Sequence, residues 1–202
     1  MAAGELTAEE GRALACLAAQ AVAGKLRGEP PDGRLPAEPR LRVPGASFVT
    51  LEARGRLCGC IGTLEAARPL YLDVGRNARR AAEDPRLPPV TARDWPMLDV
   101  SVSVLTPPSP LAAAGPAELA AILRPGLDGL ILQDGRRRAT FLPKVWHKLP
   151  EPMDFVAALL AKGGWPGRGW PAGVRAARYT CQDFTDRAPR PPLVALPNKA
   201  IE

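Results

Sequence analysis

SFVTLEARGRLCGCIGT (Ser47–Thr63) is the stretch that decides the fold. It consists of two alternating runs separated by Arg54-Gly55, and it reads as a β-hairpin: strand Ser47–Ala53, a two-residue turn, and return strand Arg56–Thr63. Strict alternation places Leu57, Gly59 and Ile61 on one face and Cys58, Cys60 and Gly62 on the other. A second stretch, GLILQDGRRRATFL (Gly129–Leu142), repeats the pattern around Asp134-Gly135, a strong turn dipeptide. It gives strands Gly129–Gln133 and Arg136–Leu142, so the basic run Arg136–Arg138 falls on a strand. Asp99–Leu105 alternates with Val100, Val102 and Val104 on one face, and Val174–Phe184 reads as a final strand. Strands outnumber the helices that could serve as crossovers. The expected class is therefore α+β, a largely antiparallel sheet with flanking helices, rather than a doubly wound nucleotide fold.

The helices around these strands have local signals. Thr7-Ala-Glu-Glu10 is a capping box opening a helix that carries Leu14, Leu17, Ala21 and Leu26 and ends at Gly28 and Pro30-Pro31. Residues 29–46 read as a loop. Leu70, Val74, Ala78 and Ala81 have helical spacing, and that helix should stop before Pro85. Thr106-Pro-Pro-Ser-Pro110 closes the Asp99–Leu105 strand. Short helices are expected over Pro116–Leu123, Pro143–Leu149 and Asp154–Lys162, the last stopped by Gly163-Gly164. From Arg187 onward the Pro-rich sequence has no periodicity and reads as a tail.

Composition sets limits on function. The chain has 202 residues, 27 basic against 21 acidic, and a net charge of +6. Hydrophobic residues are 46% and aromatics only 5%, so aliphatic side chains and alanine must fill the core. No run of about 18 apolar residues exists, so no transmembrane helix and no membrane partner are expected. The start, MAAGELTAEEG, is acidic where a secretory signal is basic and then apolar, which leads to a cytoplasmic expectation. Cys16, Cys58, Cys60 and Cys181 fit a reducing compartment as free thiols. The positive charge is nearly all arginine and is spread along the chain. Scattered solvated arginines are favoured over a nucleic-acid surface, and no stacking-aromatic pattern supports RNA binding.

No phosphate-binding Gly-rich loop, metalloprotease helix, Cys-x-x-Cys pair or nucleophile elbow is present. His147 is the only histidine, so neither a metal centre nor a cofactor is expected. Cys58 and Cys60 lie about 7 Å apart on one extended strand, too few ligands for structural zinc and poorly placed for a disulfide. On burial statistics each cysteine is a small buried hydrophobe. The setting of Cys60 is nevertheless unusual for a core strand. Gly59 and Gly62 surround it, glycine within a strand permits close approach of a ligand, and Thr63 adds a hydroxyl. Cys60 is thus the candidate nucleophile, should cationic groups from other strands reach it.

The run Gly45–Leu51, LCGCIGTLEAARPL (Leu57–Leu70), EDPRLPPVT (Glu83–Thr91), DVSVSVLTPPSPL (Asp99–Leu111) and PGLDGLILQDGRRRATFLPKVWHKLP (Pro125–Pro150) resembles the AMMECR-type domain, whose prokaryotic members are called AmmeMemoRadiSam system protein A. The resemblance runs from about Glu5 to Asp186, giving a domain over 1–186 and a Pro-rich segment over 187–202. It implies an α+β fold with a larger lobe holding both termini, a smaller lobe, and a cleft between them. The family motif Leu-Arg-Gly-Cys-Ile-Gly is matched at Leu57, Gly59, Cys60, Ile61 and Gly62, with Cys58 in place of the arginine. Lys144 stands for a usual glutamine and His147 for a usual acidic residue, while Arg137–Pro143 match. The resemblance implies a place in a three-part system with a Memo-type protein and a radical SAM enzyme, one that modifies a macromolecule or metabolite. The candidate set is Cys60 as the reactive group, with Gly59, Gly62, Thr63, Arg86, Arg138, Thr140 and Lys144 as binding residues. A non-catalytic adaptor for the same partners is the alternative, and an RNA-binding protein a third.

Overall fold

The computed structural model describes residues 5–135, 137–165, 170 and 173–193. The chain divides into two compact units: Met1–Leu105 together with Gln182–Glu202, and Thr106–Cys181. Each unit is built on its own four-stranded sheet. The fold is α+β with antiparallel sheets, as the two hairpins require.

In the first unit, strands β1 (Ala46–Ala53), β2 (Arg56–Gly62), β3 (Leu98–Leu105) and β8 (Cys181–Asp186) are ordered β2-β1-β3-β8. Strand β1 runs antiparallel to both β2 and β3. Helices α1 (Ala8–Leu26) and α2 (Leu70–Ala81) complete the unit. The capping box forms as expected: Thr7 Oγ1 accepts from Glu10 N–H, and the Glu10 carboxylate accepts from Thr7 N–H at 2.8 Å. Leu14, Ala18 and Val22 make a fully buried stripe at four-residue spacing, widened by Ala15 and Ala19. This core is mainly alanine, valine and leucine, in keeping with the scarcity of aromatics.

The second unit holds β4 (Ser109–Leu111), α3 (Pro116–Ile122), β5 (Gly129–Asp134), β6 (Arg137–Phe141), α4 (Pro152–Lys162) and β7 (Arg175–Tyr179), with sheet order β4-β7-β5-β6. Here the aromatics are concentrated. The Trp146 ring stacks on Phe155 with centroids 3.8 Å apart, and Phe141 meets Phe155 edge-on at 5.3 Å. Asp128, fully buried just ahead of β5, accepts from Arg124 Nη2 at 2.6 Å, and its carbonyl takes the Trp146 indole N–H.

Several expectations are corrected. The two hairpins lie in separate sheets rather than one. The continuous Val174–Phe184 strand is two strands, β7 and β8, interrupted at Thr180, whose carbonyl and N–H are both taken by Thr106. Pro110 lies within β4, which pairs only with β7, so the missing N–H of proline costs no ladder bond on the open side. Within the expected 29–46 loop, Pro39–Arg42 forms a 3-10 turn. In the second hairpin Asp134 pairs with Arg137 and so belongs to the strand rather than the turn; Arg136, expected on the return strand, is outside the described residues. Residues 187–193, read as the start of a tail, are tied to the first unit. The Arg190 guanidinium lies 4.6 Å from the Trp95 ring centroid and donates to the Leu98 and Asp186 carbonyls, and Trp95 Nε1 donates to the Pro191 carbonyl. Residues 194–202 are outside the described residues.

Candidate functional site

The β1–β2 ladder contains one irregularity, and it falls on the cysteine pair. Gly59 pairs with Leu51 and Leu57 pairs with Glu52, leaving Cys58 as an extra residue opposite that step. This β-bulge breaks strict alternation. Leu57 registers with exposed Glu52 and is itself exposed. Cys58 packs against the first unit's core, and its thiol donates to the Arg56 carbonyl. Cys60 pairs instead with Thr50. The expectation that Cys58 and Cys60 share one face and one fate is therefore overturned.

Cys60 is half-buried, and its backbone is held at both ends. Its N–H donates to Asp84 Oδ2 at 3.0 Å, and its carbonyl accepts from Arg86 Nη2 at 2.7 Å. Asp84 and Arg86 form a two-pronged pair, Nε to Oδ1 at 2.9 Å and Nη2 to Oδ2 at 2.6 Å, and the Arg86 N–H also donates to Oδ1. Asp84 is buried. Its hydrogen bonds from Arg86 hold the carboxyl far below the usual carboxylate range against the opposing cost of burial, and the N–H groups of Cys60 and Arg86 add to this. The same pairing raises the pKa of Arg86. The thiol itself accepts a hydrogen bond from Thr50 Oγ1 at 3.4 Å.

The glycines have steric reasons. A Cβ at Gly59 would overlap the carbonyl oxygen of Ala81 at the end of α2, and one at Gly62 would enter the Phe48 ring. These glycines let the helix and a ring close over β2. Thr63 belongs to a different network. Its hydroxyl donates to buried Asp73 at 2.6 Å, alongside donors from Ser47, Asn77 and Arg68.

The remaining candidates lie in the second unit. Thr140 Oγ1 donates to the Leu130 carbonyl at 2.9 Å and lies 2.8 Å from the Tyr179 hydroxyl, which donates to the Phe141 carbonyl. It links β5, β6 and β7, and burial pushes the Tyr179 phenol upward. Arg138 is exposed on β6 opposite Gln133, and Lys144 is exposed on the 3-10 turn Pro143–His147. The candidate set thus divides: Gly59, Cys60, Gly62, Thr63 and Arg86 lie in the first unit, and Arg138, Thr140 and Lys144 in the second.

The residues that sequence reasoning missed are Thr50 and Asp84. Asp84-Pro-Arg86 did carry a signal, since an aspartate two residues before another N–H commonly caps it. The partner strand of that carboxylate had no local trace. Among the described residues no group of three or more His, Cys, Asp or Glu is arranged to hold a metal ion.

The family model described as AMMECR1 matches residues 15–184. The chain belongs to the AMMECR1 family. A protein from Methanothermobacter thermautotrophicus is 42% identical over 167 residues, covering 80% of this chain and 85% of that protein. One from Thermofilum pendens is 35% identical, covering 95% and 96%. The crystal structure of the uncharacterised protein PH0010 from Pyrococcus horikoshii is similar to this AMMECR1-family chain with a TM-score of 0.81 and 30% identity, over 93% of this chain and 96% of that one.

Proposed function

We propose that this AMMECR1-family chain is a component of a three-part system with a Memo-type protein and a radical SAM enzyme, contributing Cys60 to modification of a macromolecule or metabolite. The observation that carries the reading is the clamp. A buried aspartate and a paired arginine fix both backbone polar groups of one half-buried cysteine, while a threonine hydroxyl points at its sulfur. Such fixation is the preorganisation a reacting thiol needs. Arg86 acts here as a positioning residue, its Nε and Nη2 donors taken up by Asp84 and the Cys60 carbonyl. In a cell extract the protein should co-purify with a Memo-type or radical SAM protein. In the folded protein Cys60 should alkylate with iodoacetamide faster than exposed Cys16 on α1. Equal or slower labelling of Cys60, with neither protein recovered, would overturn the proposal.

One observation favours the adaptor alternative. The only histidine, His147, lies in the second unit, so the first unit has no imidazole to serve as a base. The adaptor reading expects the same co-purification and expects Cys60→Ala to leave the system's product formation unchanged.

A further inference from the structure

A surface pocket of about 360 Å³ opens in the first unit beside the tip of the β1–β2 hairpin. Its lining includes three arginines, Arg54, Arg56 and Arg93, the carboxylate of Asp94, and apolar walls contributed by Leu57, Pro88, Pro89, Val90 and Met97. Cys58, the bulge residue, is on the wall; Cys60 is not. Several other described arginines of this chain are engaged by carboxylates, among them Arg27 with Glu29, Arg68 with Asp73, Arg86 with Asp84, Arg124 with Asp128 and Arg190 with Asp186. The guanidiniums of Arg54, Arg56 and Arg93 make no hydrogen bond or ion pair with the described residues. One oxygen of Asp94 is already committed: Oδ2 accepts from both the N–H and the hydroxyl of Thr91, and those bonds lower its pKa.

The backbone adds an independent observation. Arg54 has φ of 52°, the one positive-φ residue in the described chain that is not glycine. With Gly55 at 74° it makes the turn whose first position suits asparagine or glycine. Holding an arginine there is costly, and sparsely populated backbone conformations cluster at ligand clamps.

We infer that this pocket binds a small organic phosphate, its phosphoryl group among Arg54, Arg56 and Arg93 and its apolar body against the proline, valine and methionine wall. Charge decides for phosphate. Three guanidiniums and one carboxylate leave a net charge of +2, which complements a phosphate monoester at −1.5 to −2 near neutral pH. Size decides for an organic ester. The volume falls within the roughly 300–1,000 Å³ of small-molecule sites and exceeds what a bare anion fills. The pocket is separate from the Cys60 clamp, so the inference stands or falls independently of the proposed function.

The test uses phenyl phosphate, with inorganic phosphate and phenol as its two halves, in titration calorimetry on the full chain. Phenyl phosphate should bind at least tenfold more tightly than either half. It should also slow alkylation of Cys58 while leaving the rate at Cys60 unchanged. Arg93→Ala, an exposed position whose loss leaves the melting temperature of the free protein unaltered, should weaken binding at least tenfold. Arg12→Ala on α1, outside the lining, should leave it intact. Equal affinity for phosphate and phenyl phosphate would overturn the organic ligand. Equal weakening by Arg93→Ala and Arg12→Ala, or no binding of phenyl phosphate, would overturn the site.

Discussion

The two hairpins look alike in sequence and differ in what holds them. The β5–β6 hairpin keeps an unbroken register from Leu130↔Phe141 to Asp134↔Arg137, and its cross-strand link is neutral: Thr140 with the Leu130 carbonyl and Tyr179. The β1–β2 hairpin slips by one residue at Cys58, and beyond the slip the buried Asp84 and the exposed Arg86, from the loop after α2, grip Cys60. A regular ladder satisfies its own backbone. Beyond the bulge Cys60 is back in register with Thr50, and because β2 is an edge strand its outward N–H and C=O are open to an outside group. Both hairpins have a buried carboxylate beside them, but Asp128 ahead of β5 accepts from the Arg124 side chain and N–H, whereas Asp84 accepts from the strand itself, at the candidate thiol.

The largest expected effect comes from removing that carboxylate. Asp84→Ala would leave the N–H groups of Cys60 and Arg86 without their acceptor, and an orphaned donor of this kind costs about 1–3 kcal/mol. Hydrogen exchange should show the loss concentrated in β2, with β5 and β6 unchanged. Acid should reproduce it gradually. Because the folded pKa of Asp84 is depressed, its contribution is fully present above the ordinary aspartate value of about 4 and is lost as pH falls towards the native value. Thermal melts between pH 7 and pH 2 should therefore decline less steeply for Asp84→Asn than for the wild type. Parallel decline would show that the clamp contributes nothing to folding.

The comparison also explains what could be read from the chain. Both hairpins, the capping box of α1 and the extent of α2 rest on neighbours within a few residues, and all are visible in sequence. The bulge is not, because Leu57–Gly62 alternates as well with an extra residue as without one. The β7–β8 break at Thr180 is equally silent: alternation continues while the strand changes sheets. Of the site, Cys60 and its glycines were legible through their composition, and the resemblance pointed to Arg86. Thr50 and the acceptor role of Asp84 depend on long-range pairing. Thr63 and Thr140 have the right chemistry for a site, yet the structure uses both hydroxyls to tie elements together.

A middle-sized effect separates the two hairpins by mechanism. Gly59→Ala places a methyl group on the Ala81 carbonyl oxygen, and overpacking of this kind costs about 2 kcal/mol. Gly135→Ala meets open space, and only its φ of 50° resists, at about 1 kcal/mol. Chemical denaturation of the two variants should preserve this order. The distinction sharpens with labelling: Gly59→Ala should change the alkylation rate of Cys60, and Gly135→Ala should not. A reversed order would mean that α2 retreats from β2 at little cost.

The smallest expected effect is at the bulge itself. Cys58→Arg restores the residue found at this position in the resembling family motif. Strict alternation would have given positions 58 and 60 one outcome. The bulge separates them, because Cys58 borders a solvent-open pocket whereas Cys60 sits under the Thr50 hydroxyl with both backbone groups held. A new guanidinium at 58 can lay its stem along the core edge and put its charge into the pocket, as long cationic side chains do at apolar boundaries. It would then join three unpaired arginines, and their mutual repulsion is the main cost. A change below about 1 kcal/mol is expected, typical of a surface substitution with modest charge crowding. Because the cost is electrostatic, it should shrink as salt rises. Cys60→Arg should cost far more and be insensitive to salt. Equal losses at the two positions would restore the single-face reading and remove the bulge as the feature that sets this hairpin apart.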